Sequence, residues 1–161
     1  MPQLARRMSR AKPSVIMQVA EKAKRLKAEG RDIISFSIGV PNFLPGPHVY
    51  EAARQAVDKD SGQYGSNRGP DALLDALLQH IEQIGLTGYT RANCATGIGA
   101  KHVIYNLAEA LLDEGDTIAF PAPYWTSYVD IAEIVNAKIQ LLPCPASQNY
   151  KLTPQQLDEA L

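Results

Sequence analysis

"ATGIGAKHVIYNL", residues 95–107, sets glycines at 97 and 99 among small residues and runs without a break into an apolar pattern of helical spacing. A helix that starts this way keeps its first turn open. The leading backbone N–H groups have no carbonyl partner there, and the positive end of the helix dipole is concentrated at the same place. Gly97 and Gly99 reach backbone conformations closed to other residues, and Ala100 adds almost no bulk, so an oxyanion can approach closely. On these residues alone two readings stand open, a plain tight strand-to-helix turn and an anion site. Spacing removes two familiar forms of the second. A Walker loop needs Gly-Lys followed by Ser or Thr, whereas Lys101 follows Ala100 and precedes His102; a dinucleotide fingerprint needs a third Gly or Ala where His102 stands.

Downstream of this turn the pattern is regular. A helix over 100–112, a strand over 116–120, a helix over 125–135 and a strand over 138–142 alternate, which predicts an α/β fold with a largely parallel sheet. Upstream lie an amphipathic helix over 13–29 stopped by Gly30, a β-rich run over 33–37 read as a strand, and a helix over 47–58. The polar stretch "KDSGQYGSNRGP", residues 59–70, leads to a helix over 71–84 with Leu73, Leu74, Leu77, Leu78 and Ile81 as its buried face, and a short run ending at Ala95 completes the alternation. In "KLTPQQLDEAL", residues 151–161, Thr153, Pro154 and Gln156 launch a further helix through a capping box. No stop signal follows it, so the chain is expected to be the leading part of something longer.

Composition sets limits on function. The 161 residues carry 45% apolar residues, enough for one domain with a core, and sixteen basic against seventeen acidic residues give a net charge of −1. General attraction to nucleic acid or to an anionic membrane has no support in that balance. Apolar runs fall well short of the roughly eighteen residues of a membrane span, and the basic amino-terminal segment is followed by no signal-type core, so a cytoplasmic address is expected. Cys94 and Cys144 lie fifty residues apart without Cys-x-x-Cys spacing, and His48, His80 and His102 form no i, i+4 pair. Buried thiols and no metal site are the expectation.

The loop "FPAPYWTSY", residues 120–128, decides between the two readings of the glycine turn. In a parallel sheet it lies at the same edge as that turn, and it carries Trp125, the only tryptophan, flanked by Pro123, Tyr124 and Tyr128. An indole at a strand end packs, but its flat face also stacks a planar ligand. Phosphate at one loop and an aromatic plate at the other describe a phosphorylated heteroaromatic cofactor.

The ordered segments "SIGVPNF" (37–43), "YGSNRGP" (64–70), "GIGAKH" (97–102) and "LLDEGDTIAFPAPYW" (111–125) cover nearly the whole chain. Their order and intervals resemble the amino-terminal half of the pyridoxal-phosphate-dependent aminotransferases of the aspartate aminotransferase family. The resemblance implies that residues 1–45 are an amino-terminal arm and small-domain segment, and that 46–161 begin a three-layer, mostly parallel-sheet large domain. It implies pyridoxal 5'-phosphate as cofactor, with Gly99, Ala100 and Lys101 at its phosphate, Trp125 stacked on its ring, and Tyr64 reaching the phosphate of the partner subunit in a homodimer with shared sites. Gly39 falls in the loop that receives the substrate α-carboxylate.

One branch of the family further implies Lys12, Ser14 and Lys101 as contacts for the second carboxylate of an acidic substrate. A lysine in a first helical turn opposes the dipole, so its charge is expected to have a partner. Ile16 stands where that branch tends to have a hydroxyl, and Val40 and Asn42 stand where acidic residues are usual, so an amino acid and a 2-keto acid are implied without fixing aspartate. The family's Schiff-base lysine, the aspartate at the pyridine nitrogen and the α-carboxylate arginine match no segment of residues 1–161. The chain as it stands is therefore expected to be inactive alone, to expose apolar surface, and to need a lysine from beyond Leu161. A non-catalytic cofactor-binding or dimerisation module is the alternative.

Overall fold

Ser14 begins the first helix: its hydroxyl accepts from the Met17 N–H at 3.4 Å, and α1 runs Val15–Ala28. The chain is described by a computed structural model over residues 3–10, 13–60 and 62–161. It divides into two compact units, one of Met1–Ser37 with Gly99–Leu161 and the other of Ile38–Ile98.

In the first unit α1 is followed by α4 (Ala100–Leu111), β1 (Thr117–Ala122), α5 (Thr126–Ile134), β2 (Lys138–Pro143) and the short α6 (Pro154–Asp158). Strands β1 and β2 pair in parallel, Thr117 opposite Lys138 and Phe120 opposite Leu141, with α5 as the crossover that parallel pairing requires. The interior of this βαβ unit is built from Ala108 on α4, Phe120, Ile131, Ala132, Leu142 and Cys144, all buried. Helix ends are closed by backbone geometry. After α1, Gly30 (φ 83°) donates to Lys27 O at 3.0 Å and Arg31 to Leu26 O at 3.1 Å; after α5, Asn136 (φ 63°) donates to Glu133 O at 3.3 Å and Ala137 to Ala132 O at 3.0 Å. These paired bonds satisfy carbonyls that a helix end leaves orphaned. Arg10 adds a cation at the negative end of α5, its Nε donating to Glu133 O at 2.8 Å. At α6 the expected capping box is present: Gln156 N–H donates to Thr153 Oγ1 at 3.2 Å, and Thr153 N–H donates to Gln156 Oε1 at 3.1 Å.

The second unit holds α2 (Pro47–Asp60), α3 (Asp71–Gln83) and a 3-10 turn at Arg91–Asn93. Leu74 is its best-buried side chain at 2% exposure, and Leu77, Leu78 and Ile81 are half-buried. Leu73, expected on the buried face of α3, is exposed instead. An ionic brace joins α3 to the 3-10 turn. Arg91 Nε donates to Asp75 Oδ1 at 2.6 Å and Nη1 to Asp71 Oδ2 at 2.7 Å, while Nη2 binds the second Asp75 oxygen. The hydrogen bond from Arg91, reinforced by its charge, holds the Asp75 carboxyl below the usual aspartate range against a smaller opposing effect of desolvation. A carboxyl depressed in the folded state stabilises above its unfolded value and loses that contribution as pH falls through the folded one. Urea midpoints are thus expected to drop on acidification below the usual aspartate range, and Asp75→Asn should flatten that acid limb.

Two expected strands are not strands. Residues 33–37 carry no ladder, and Ile34 and Phe36 stand 81% and 93% exposed. The run ending at Ala95 forms the 3-10 turn and an extended tail, and Thr96 N–H donates to Arg68 O at 2.8 Å, in the loop before α3. β-propensity makes a strand only where a neighbouring backbone supplies partners, and β1 and β2 are the only paired strands among the described residues. Cys94 and Cys144 are buried free thiols. Among the described residues no helix is long and apolar enough to cross a membrane, and no group of three His, Cys, Asp or Glu is placed to hold a metal.

Candidate functional site

Gly99 is the N-cap of α4 and adopts φ 86°, ψ 164°. That region of backbone space is essentially reserved for glycine. The first intrahelical bond closes from Val103 N–H to Gly99 O at 3.3 Å, so the amides of Ala100 and Lys101 precede the ladder, and Gly99 has no side chain to cap them. No acidic residue in the first turn offsets the dipole. A Cβ built on Gly99 would meet no atom within 4 Å, so the space before the turn is open. Donors and room for an oxyanion therefore coincide.

The second element comes off β1. The chain leaves the strand through a cis Ala122–Pro123 bond and reaches Trp125, the N-cap residue of α5. Its indole is held from the core outward: buried Phe120 stacks on Tyr128 with centroids 5.6 Å apart, and Tyr128 meets Trp125 edge-on at 5.4 Å and 85°. The indole remains 38% exposed. Lys101 Nζ lies over its ring, 5.0 Å from the centroid. The first turn of α4 and the indole therefore adjoin, and the π face is the partner the lysine's charge has found, a contact worth about 0.5–1 kcal/mol at an exposed site.

The remaining expected residues divide. Ser14 is in the same unit, where its hydroxyl oxygen accepts the N-terminal capping bond of α1. Lys12 lies outside the described residues. Gly39 and Tyr64 belong to the second unit; Gly39 has open space around its Cβ position, and Tyr64 is fully exposed. Sequence reasoning passed over a cluster in that unit. Arg68 Nη1 donates to Arg91 O at 3.4 Å and Ala92 O at 3.3 Å, and Arg68 O accepts from Thr96 N–H at 2.8 Å and Thr96 Oγ1 at 3.2 Å. The signal for it was the acidic i, i+4 pair Asp71 and Asp75 on one face of α3, which calls for a cation.

The donor set fits a phosphorylated heteroaromatic group: the open first-turn amides suit a phosphate dianion, and the part-exposed indole suits a planar ring. The model of the family "aminotransferase class I and II" matches residues 31–161. The aspartate aminotransferase of Geobacillus stearothermophilus is 33% identical over 158 residues, 98% of this chain and 40% of that protein. The aspartate/prephenate aminotransferase of Cereibacter sphaeroides is 34% identical over 154 residues, 96% of this chain and 38% of that one. Among solved structures, the Rhizobium meliloti aspartate aminotransferase superposes with a TM-score of 0.91 at 32% identity over all of this chain and 40% of its own. The Thermus thermophilus enzyme with maleate gives 0.92 at 28% identity, over all of this chain and 42% of its own. The chain thus spans about 40% of the length of the curated relatives it matches.

Proposed function

Since the chain belongs to the aminotransferase class I and II family, we propose that residues 1–161 hold the phosphate and one ring face of pyridoxal 5'-phosphate in an enzyme that moves an amino group between an amino acid and a 2-keto acid. The observation that carries this reading is the contact of Lys101 with Trp125, which joins the anion-binding turn to the aromatic plate. Pyridoxal phosphate, when bound, supplies the aldehyde that carries the amino group and the ring that accepts electrons. The chain's own residues bind and orient. Ala100 and Lys101 donate their amides to the phosphate, and Gly99 lets it approach. Trp125 fixes the plane of the ring from one side and excludes water there. Tyr64 donates its hydroxyl to the phosphate in the partner subunit of a homodimer.

Gly39 lies in the loop that takes the substrate α-carboxylate, and Lys12, Ser14 and Lys101 serve a second carboxylate. The Lys101 ammonium, which lies over the indole face, would be available to that carboxylate if the ring took its place there. The dicarboxylate in the Thermus thermophilus structure supports an acidic substrate class. In this reading residues 1–45 are an arm and small-domain segment, and 46–161 open a three-layer large domain.

Titrating the chain with pyridoxal phosphate while following Trp125 fluorescence should give saturable quenching, with phosphate-free pyridoxal binding more weakly and inorganic phosphate competing. Quenching that ignores the phosphate group would defeat the reading. Because no segment of residues 1–161 matches the family's covalent lysine, this chain by itself should bind the cofactor reversibly and show no aminotransferase turnover.

A further inference from the structure

The loop of residues 62–70 is tied at one end far more firmly than an exposed connection needs. Gly69 N–H donates to Ser66 O at 3.0 Å and Arg68 N–H to Ser66 Oγ at 3.2 Å, closing the turn on itself. Arg68 then holds the 91–96 segment from both sides: its guanidinium reaches Arg91 O and Ala92 O, and its carbonyl takes both donors of Thr96. Gly69, at φ 114°, lies so close to Thr96 that a Cβ there would run into the Thr96 hydroxyl. Arg91 closes the circuit by forking onto Asp75 and Asp71 of α3, the helix that follows this loop. Its geometry is the bidentate kind that lysine cannot reproduce. Tyr64 stands two residues before Ser66 and is fully exposed, so its direction is inherited from this turn's backbone and not from packing of its ring.

We propose that Arg91 is a positioning residue for phosphate binding: through Asp71, Asp75 and the Arg68–Thr96 clasp it fixes the turn that aims Tyr64. This rests on the reading of Tyr64 as a phosphate donor.

The test is a double-mutant cycle on phosphate discrimination, the ratio of affinities for pyridoxal phosphate and pyridoxal read by Trp125 fluorescence. The proteins are the unaltered chain, Tyr64→Phe, Arg91→Met and the double variant. Tyr64→Phe should lower discrimination about tenfold, as for a lost hydrogen bond to a charged group. Arg91→Met should lower it by a similar factor, and adding Tyr64→Phe to it should cost less than about twofold, since coupled residues are not additive. Arg91→Lys should not restore the unaltered value. A general loss of folding would weaken both ligands alike and leave the ratio unmoved. If circular dichroism shows Arg91→Met unfolded, Asp75→Asn takes its place in the cycle. Equal cost of Tyr64→Phe in both backgrounds overturns the positioning role while leaving Tyr64 in place. No cost in the unaltered chain overturns the Tyr64 reading and this inference with it.

Discussion

A Gly99→Val chain is expected to lose its preference for pyridoxal phosphate over pyridoxal while keeping its helical signal. At φ 86° and ψ 164° a β-branched residue is strained by about 1–3 kcal/mol, and the first turn of α4 will rotate to relieve it. Rotation turns the Ala100 and Lys101 amides away from the oxyanion, and the valine methyls enter the space it would fill. Because a Cβ at this position meets no protein atom within 4 Å, core packing is not expected to be disturbed. The loss belongs to the site. Each 1.4 kcal/mol is about a factor of ten in affinity, so phosphate discrimination should fall by about 5- to 150-fold. Gly99→Ala separates the two causes: it keeps the strain and adds little bulk, and it should fall between the parent and the valine variant. An unchanged ratio in Gly99→Val would remove the turn from the site.

Trp125→Ala is expected to weaken both ligands together, in contrast to the glycine variant. Stacking of a planar heterocycle on an aromatic side chain is worth about 1–3 kcal/mol, or roughly 5- to 150-fold in affinity. The phosphate amides stay where they are, so the ratio of the two affinities should hold. Removing the only tryptophan also removes the fluorescent reporter. Equilibrium dialysis therefore has to supply the numbers. Trp125→Phe is the informative companion, retaining a smaller plate on the same Tyr128 edge contact. If the alanine variant binds pyridoxal as well as the parent does, the indole is a packing residue and the ring lies elsewhere.

Legibility followed the range of the interactions involved. The helices 13–29, 47–58, 71–84 and 100–112 were readable within a few residues at their ends, because capping and apolar periodicity are local. Both paired strands and their parallel sense were readable because a helix of crossover length separates them. The failures at 33–37 and before Ala95 have one cause: a strand depends on a partner backbone, and nothing within the run reveals whether a partner is present. At the candidate site, Gly99 and Trp125 were marked by residue type, glycine for its backbone and tryptophan for its face. The Lys101 contact was only half legible, since the dipole argument asked for a counterpart without naming an indole. The Arg68, Thr96 and Arg91 cluster was not read at all. The Asp71/Asp75 pair called for a cation, but the bonds of Arg68 and Thr96 run to main-chain carbonyls more than twenty residues away, and such acceptors have no sequence signature.

The passage from α5 into β2 leaves the chain no slack. Left-handed Asn136 ends the helix and anchors its amide to Glu114 Oε1 at 2.8 Å, and two residues later Lys138 N–H is already bonded to Asp116 O at 2.7 Å. One residue inserted here would slide β2 by half a pleat, sending Leu142 toward solvent and its neighbours inward. A change of chain length at 136–137 is therefore expected to cost the register of the β1–β2 pair itself.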